Sequence, residues 1–375
     1  MSGMSRRQMI QSLLVGAAAM NVRGIARGQT VVEDVVPAGA PQSTIIPPHG
    51  IPVAKPRLQG VNRVIVDTDP GNDDALAMLI ALSVPSLQVD AVTVCPGNMG
   101  IDGYDQQVRN ALYVVELAGK SGAVPVYRGV ARPILGRPWP VATFIHGSHG
   151  LGEVEVSKVK QSVEEEHAVA AMRRIVNHSP GEVTILALGS LTNVAIAILR
   201  DEDFVKNVQG VIFVGGKYDG RGYSPGYNVL VDPEAAEVVV RSGVPLLMTG
   251  DAPRHDSVLV AEDYDHIADF KSARSDFFIK SNALRRTYEM KYRGASGSLN
   301  FDPMAVALAA DENMGKEYVS VAMKVELDGE YTRGILVYGE DIYSGNPVPK
   351  GNVDICIRAD HERFRQMVYR TLQMS

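Results

Sequence analysis

From residue 61 onward the chain alternates short apolar runs with longer helix-forming ones, and this restricts its fold more than any other feature. Strand-like 61–66 precedes helix-like 75–82, 87–94 precedes 105–118, 183–188 precedes 191–199, and 208–214 precedes 232–241. A further strand-like run follows at 244–248. Alternation of this kind predicts an α/β protein with an open, mostly parallel (mixed) sheet and helices on both faces. The segment 262–293 reads as long, helical and charged on its exposed side, placed over the sheet edge or the ligand site. The remainder predicts strands at 319–327, 334–338 and 353–357, a loop with Gly345, Pro347 and Pro349, and a terminal helix from His361.

The first strand-to-helix seam carries Asp67-Thr68-Asp69-Pro70-Gly71-Asn72-Asp73-Asp74. In an α/β sheet that seam is the carboxyl end of a strand, where ligands bind. Strand alternation predicts Asp67 and Asp69 on one side of the backbone, Pro70-Gly71 as the turn, and Asp73 and Asp74 opening the helix. Carboxylates this close repel one another unless a cation or hydrogen-bond donors compensate. An all-oxygen set without paired His or Cys suits Ca2+ or Mg2+ better than Zn2+. Helix capping is the plainer explanation, but it accounts for one or two acids, not four.

The 375-residue chain carries a formal charge of −6. Ser5-Arg6-Arg7-Gln8-Met9-Ile10 ahead of the apolar run 13–20 is similar to a twin-arginine export signal over residues 1–30. That run is too short to stay as a membrane anchor. Residues 1–30 hold four arginines and no acid, so their removal takes the charge to about −10. An acidic mature chain is poorly suited to nucleic acid or an anionic membrane, and the twin-arginine-type signal makes the expected destination exported and periplasmic. Residues 31–60, rich in Pro, Val and Ala without period, read as an extended linker, and 61–375 as the catalytic domain. Cys95 and Cys356 lie in separate apolar runs and read as two buried free thiols.

Further motifs stand in order along the chain: Pro96-Gly97-Asn98, His146-Gly147-Ser148-His149-Gly150-Leu151-Gly152, Gly189-Ser190-Leu191-Thr192-Asn193, Tyr227-Asn228, Asp232-Pro233-Glu234 and Asp302-Pro303. With the acid cluster they resemble the inosine-uridine preferring nucleoside hydrolases from about residue 61 to the C-terminus. The resemblance implies a Ca2+-dependent N-ribohydrolase acting on a nucleoside or related ribosyl compound, as a homodimer or homotetramer. It implies Asp69, Asp74, Asp302 and the backbone carbonyl of Leu188 as ligands of the ion. Asp69 is then also the general base for an ion-bound water, Asp73 and Asn98 hold the ribose diol, and Asn228 lies on the 5′ side. An oxocarbenium-like transition state fits those nearby anions.

Two positions depart from the family pattern. Gly226 stands where a Glu commonly contacts the 5′-hydroxyl, and Phe301 where the well-studied members have a His that helps the base leave. Candidates to supply that proton are His146, which matches a family position near the base, and His149, His255 and Tyr223. Phe301 itself is read as core or as a stacking partner for the base. Asn193 reads as a helix brace, Gly215-Gly216 as a point of close backbone approach, and Trp139 as packing. The departures motivate a second reading, a non-catalytic Ca2+-dependent receptor for a ribosyl ligand. A third, an Asp-x-Asp phosphatase, is motivated by Asp67 and Asp69 alone.

Overall fold

The computed structural model describes residues 50–152, 154–156, 158–216, 225–338 and 351–375. The export signal, most of the linker, Tyr223 and the 345–349 loop lie outside the described residues. Nine strands form one sheet: β1 (Ile51–Val53), β2 (Arg63–Thr68), β3 (Gln88–Val94), β4 (Val126–Arg128), β5 (Val183–Ala187), β6 (Gly210–Gly216), β7 (Leu246–Gly250), β8 (Gly315–Val321) and β9 (Val353–Ala359). Their spatial order is β1-β8-β9-β7-β6-β5-β2-β3-β4. Every pair from β9 across to β4 is parallel, while β1 with β8 and β8 with β9 are antiparallel. The sheet is therefore mixed and mostly parallel, as the alternation predicts.

The two faces follow from the period-2 alternation of side chains along each strand. Val64, Val66, Leu186, Ile212 and Leu247 join one apolar cluster, whereas Ile65, Ile185, Val211, Phe213 and Met248 join the other. Helix Asn72–Ala81 on the first face is buried at every position except Asp73. It packs against helix Phe301–Ala310, buried over eight of its ten residues. Helices that are apolar all round belong in such an interior.

Two segments differ from the sequence reading. Residues 50–60, expected to end a linker, are bound into the fold: β1 adds to the edge of the sheet, and Arg57 meets the buried Asp354 at 2.6 Å through its amide and 3.0 Å through Nε. Pro52 is tolerated there because an edge strand needs hydrogen bonds on one side only. The expected long helix is two, Ala261–Ala268 and Ala273–Tyr292. The break falls at Lys271, whose φ of 52° leaves helical geometry, and Ser272 caps the second helix through Ser275 N.

Candidate active site

β2 continues to β3 and β4 on one side, β5 to β6 and β7 on the other, so the chain diverges between the neighbours β2 and β5. Open parallel sheets bind ligands at the carboxyl ends of strands that part in this way. A cavity of about 490 Å³ opens there, walled by Asp69, Asp73, Asp74, Asn98, Leu188, Asn228 and Asp302 among others.

β2 ends at Thr68, so strand alternation stops before Asp69, and the two acids expected to share a side separate. Asp67 is fully buried and accepts from Thr93 Oγ1 at 2.7 Å and Asn193 Nδ2 at 2.8 Å. It is absent from the cavity wall. Burial pushes its carboxyl up to about 7 against the pull of those two bonds. Asp69 faces the cavity instead. Its Oδ2 accepts from the Asn98 amide at 2.8 Å, and Asn98 Nδ2 reaches the Asp69 carbonyl at 2.9 Å and Asp74 Oδ2 at 3.2 Å. Room for that carboxylate comes from two glycines. A Cβ on Gly97 would lie 1.7 Å from Asp69 Oδ2, and one on Gly189 would lie 2.5 Å from Oδ1.

Asp74 does the work of a cap as well, accepting from Gly71 N at 2.9 Å and Thr68 Oγ1 at 2.6 Å. One carboxylate oxygen from each of Asp73, Asp74 and Asp302 lies within 4.8 Å of the others, and this is the metal-competent group among the described residues. That trio includes Asp73, which the sequence reading assigns to the sugar, and leaves Asp69 in the adjoining wall. The reason is local: Asp73 and Asp74 share a first helical turn, whereas Asp69 is drawn back by Asn98.

The acids repel one another as they stand. Burial, then the neighbouring Asp74, holds Asp69 well above the usual carboxylate range. Burial and Asp73 do the same to Asp302, and they raise Asp74 to about 6. Asp73 also has a buried oxygen, Oδ1, with no hydrogen-bond partner. A hard dication answers both observations, because it lowers all these values and supplies a partner to oxygen donors.

Residues 64–366 match the inosine-uridine preferring nucleoside hydrolase family. The chain belongs to that family. It is a hydrolase of N-glycosidic bonds in ribonucleosides. It is 33% identical over 270 residues to uridine nucleosidase 1 of Arabidopsis thaliana, covering 71% of this chain and 79% of that one. It is 29% identical to a pyrimidine-specific ribonucleoside hydrolase of Citrobacter koseri, covering 80% and 95%. A solved plant nucleoside hydrolase superposes with a TM-score of 0.75 at 28% identity, covering 84% and 99%. The receptor reading finds no support in these relatives, all named for hydrolysis or nucleosidase activity.

The remaining candidates of this nucleoside hydrolase take distinct places. His146 is buried in the cavity wall, and its Nδ1 lies 2.7 Å from Asn72 Oδ1 and 3.8 Å from Asp73 Oδ1. Asn72 gives its amide nitrogen to Ile145 O and Ser281 O, so its oxygen faces His146 Nδ1, which also lies 3.4 Å from the Asn72 backbone amide. Burial lowers the His146 pKa to about 4, so the ring is neutral at pH 7. His149 and His255 are exposed and outside the cavity wall. Phe301 is half-buried and does line the cavity. Asn228 donates from Nδ2 to the carbonyls of Leu188 and Val214, tying the ends of β5 and β6 together. The Leu188 carbonyl keeps a second lone pair.

Sequence reasoning missed Arg285, Glu289 and Arg293, read as part of an exposed charged helix. All three line the cavity. Arg285 is 2% exposed and pairs with Asp73 Oδ2 at 2.9 Å and Glu289 Oε1 at 3.4 Å. It also donates to the carbonyl of Leu299, whose amide donates to Glu289 Oε2 at 2.6 Å. The pair thus clamps the backbone three residues ahead of Asp302. Burial opposes ionisation of Asp73, but the Arg285 guanidinium leads the interactions that outweigh it and hold that carboxyl below its ordinary value. The spacing of 285, 289 and 293 on one helical face is a usable signal, since residues four apart are neighbours.

Proposed function

We propose that this hydrolase acts on nucleosides with Ca2+ held by Asp73, Asp74 and Asp302 together with Asp69 and the carbonyl of Leu188. The observation that carries the reading is the convergence of Asp73, Asp74 and Asp302, with Asp69 in the adjoining wall. When bound, a hard dication acidifies the attacking water and orients the ribose diol. Asp69 takes the proton of that water, steadied by the Asn98 amide. Asn98 and Asp73 hold the diol, Arg285 keeps Asp73 ionised, and the ordered ribose presents its anomeric carbon to the water. Neighbouring carboxylates stabilise the oxocarbenium character that develops as the bond to the base breaks.

A neutral His146 held against Asn72 supports a positioning role and not protonation of the base. The uridine and pyrimidine names of two relatives support uridine as the first nucleoside to test. The Arg6-Arg7 motif supports export to the periplasm before signal removal.

The test is release of ribose from a nucleoside panel by purified protein, with Ca2+ or after chelation, beside Asp69→Asn. Turnover on uridine that falls at least about 1,000-fold in the variant, and stops on chelation, supports the reading. Turnover indifferent to both would remove Asp69 and the cation from the chemistry.

A further inference from the structure

With the diol at the acid cluster, a nucleoside has two ends left, the base and the 5′-carbon, and the cavity has two further walls. One is aromatic: Phe301 and Phe144 line it, and Phe144 packs at a tilt against Tyr288 with ring centroids 5.1 Å apart. The other, beyond β5, is built from the ends of β6 and β7 and holds Val214, Gly215, Gly216, Gly226, Gly250, Asp251 and Arg254. A planar base suits the first wall. The 5′-carbon then points along the second.

That second wall presents backbone instead of side chains. A Cβ on Gly226 would lie 1.9 Å from Gly215 O and 2.5 Å from Gly216 Cα, and one on Gly250 would lie 2.8 Å from Gly216 O. No acid fits at Gly226 without displacing the end of β6, so no carboxylate from that position can hold a hydroxyl. Among the described residues, the charged groups of the wall are Asp251 and Arg254.

Arg254 differs from the other arginines of the cavity. Arg285 is committed to Asp73 and Glu289, and Arg293 pairs with Glu289 at 3.6 Å. The guanidinium of Arg254 has no hydrogen-bond or ion partner among the described residues, and its Nε is buried and unsatisfied. A buried guanidinium nitrogen without an acceptor is costly unless a ligand supplies one. β2 and β7 are three strands apart, about 14 Å at the usual strand spacing, and an arginine reaches back across part of that gap. A ribose anchored at the acids with one substituent beyond C5′ covers the rest.

We propose that the cavity accepts a phosphoryl group on the 5′-carbon of its substrate, held by Arg254 over the glycine-lined ends of β6 and β7, so that nucleoside 5′-monophosphates are substrates. The planar fork of arginine matches phosphoryl oxygens, and small residues let the group approach the backbone. Asp251 opposes the anion and limits how tightly it is held. The bond broken is the N-glycosidic one: water adds to C1′, the base departs with the bonding pair, and ribose 5-phosphate is the other product. No phosphoryl transfer is involved.

This inference rests on the nucleosidase reading above. The experiment measures kcat/KM for base release from uridine and from uridine 5′-monophosphate, with Ca2+, for the wild type, Arg254→Gln and Arg254→Lys. The expected wild-type ratio favours the monophosphate by about 10-fold or more, Arg254→Gln lowers that ratio about 100-fold, and Arg254→Lys recovers part of it. Turnover of uridine with the monophosphate rejected, or a ratio unmoved by Arg254→Gln, overturns the inference and leaves the nucleosidase reading standing. Base release from neither compound, nor from any other nucleoside or its monophosphate, overturns both.

Discussion

Asp69 is serviceable because its neighbours are small. Gly97 and Gly189 flank its carboxylate so closely that a methyl at either place overlaps it. Gly97→Ala should therefore cost about 100-fold or more in kcat/KM, as misplacement by an ångström does, while far-UV circular dichroism stays unchanged. A second residue-scale consequence concerns pH. Asp67 and Asp74 have folded-state values of about 7 and about 6, above the ordinary 3.8, so the folded protein binds more protons than the unfolded chain in between. Their stabilisation is present at the acidic end and lost as pH rises through those values. In chelator, Tm should fall between pH 5 and pH 7.5, and Ca2+ should reverse the trend; a chelated Tm that rises over that window contradicts it. The acids of the first seam were legible because chemistry and local order coincide in one short motif, whereas Asn98 and Asp302 were legible only through the family resemblance of theirs. The grouping of Asp73 with Asp302 was not, because it depends on where a helix from the far end of the chain is laid down.

Among the elements, helix Ala273–Tyr292 ties the site together. Buried Arg285 joins the part-exposed Asp73 on helix Asn72–Ala81 to the Leu299 backbone ahead of Asp302. Removing one member of a buried charged network leaves the others uncompensated, which typically costs about 3–5 kcal/mol. Arg285→Met should lower stability by roughly that amount in denaturant titrations, and also weaken Ca2+ binding, because Asp73 loses the group that keeps it ionised. Loss of stability alone, with Ca2+ affinity intact, would confine Arg285 to the scaffold. Strands and helices of the parallel core were legible because apolar period and turn chemistry agree there. β1 escaped because three residues containing a proline carry almost no period, and its place is set by pairing with β8 and by Arg57 on Asp354. The break at Lys271 escaped because a positive φ outside glycine leaves no compositional mark.

At the scale of the whole molecule, the order of strands decides where chemistry happens. The divergence of the chain between β2 and β5 opens a crevice, and four parallel strand ends and one long helix furnish its walls. Export is tested on the intact chain: Arg6→Lys with Arg7→Lys should leave the protein in the cytoplasmic fraction with its nucleosidase activity unaltered once purified. The fold also contains its own reporter. The single tryptophan, Trp139, donates from its indole nitrogen to the carbonyl of Gly97 at 2.9 Å, and the next amide along the chain grips Asp69. Indole emission is sensitive to its hydrogen bonding, so light absorbed by this one side chain reads the occupancy of the acid cluster two links away, without a dye or a coupled assay.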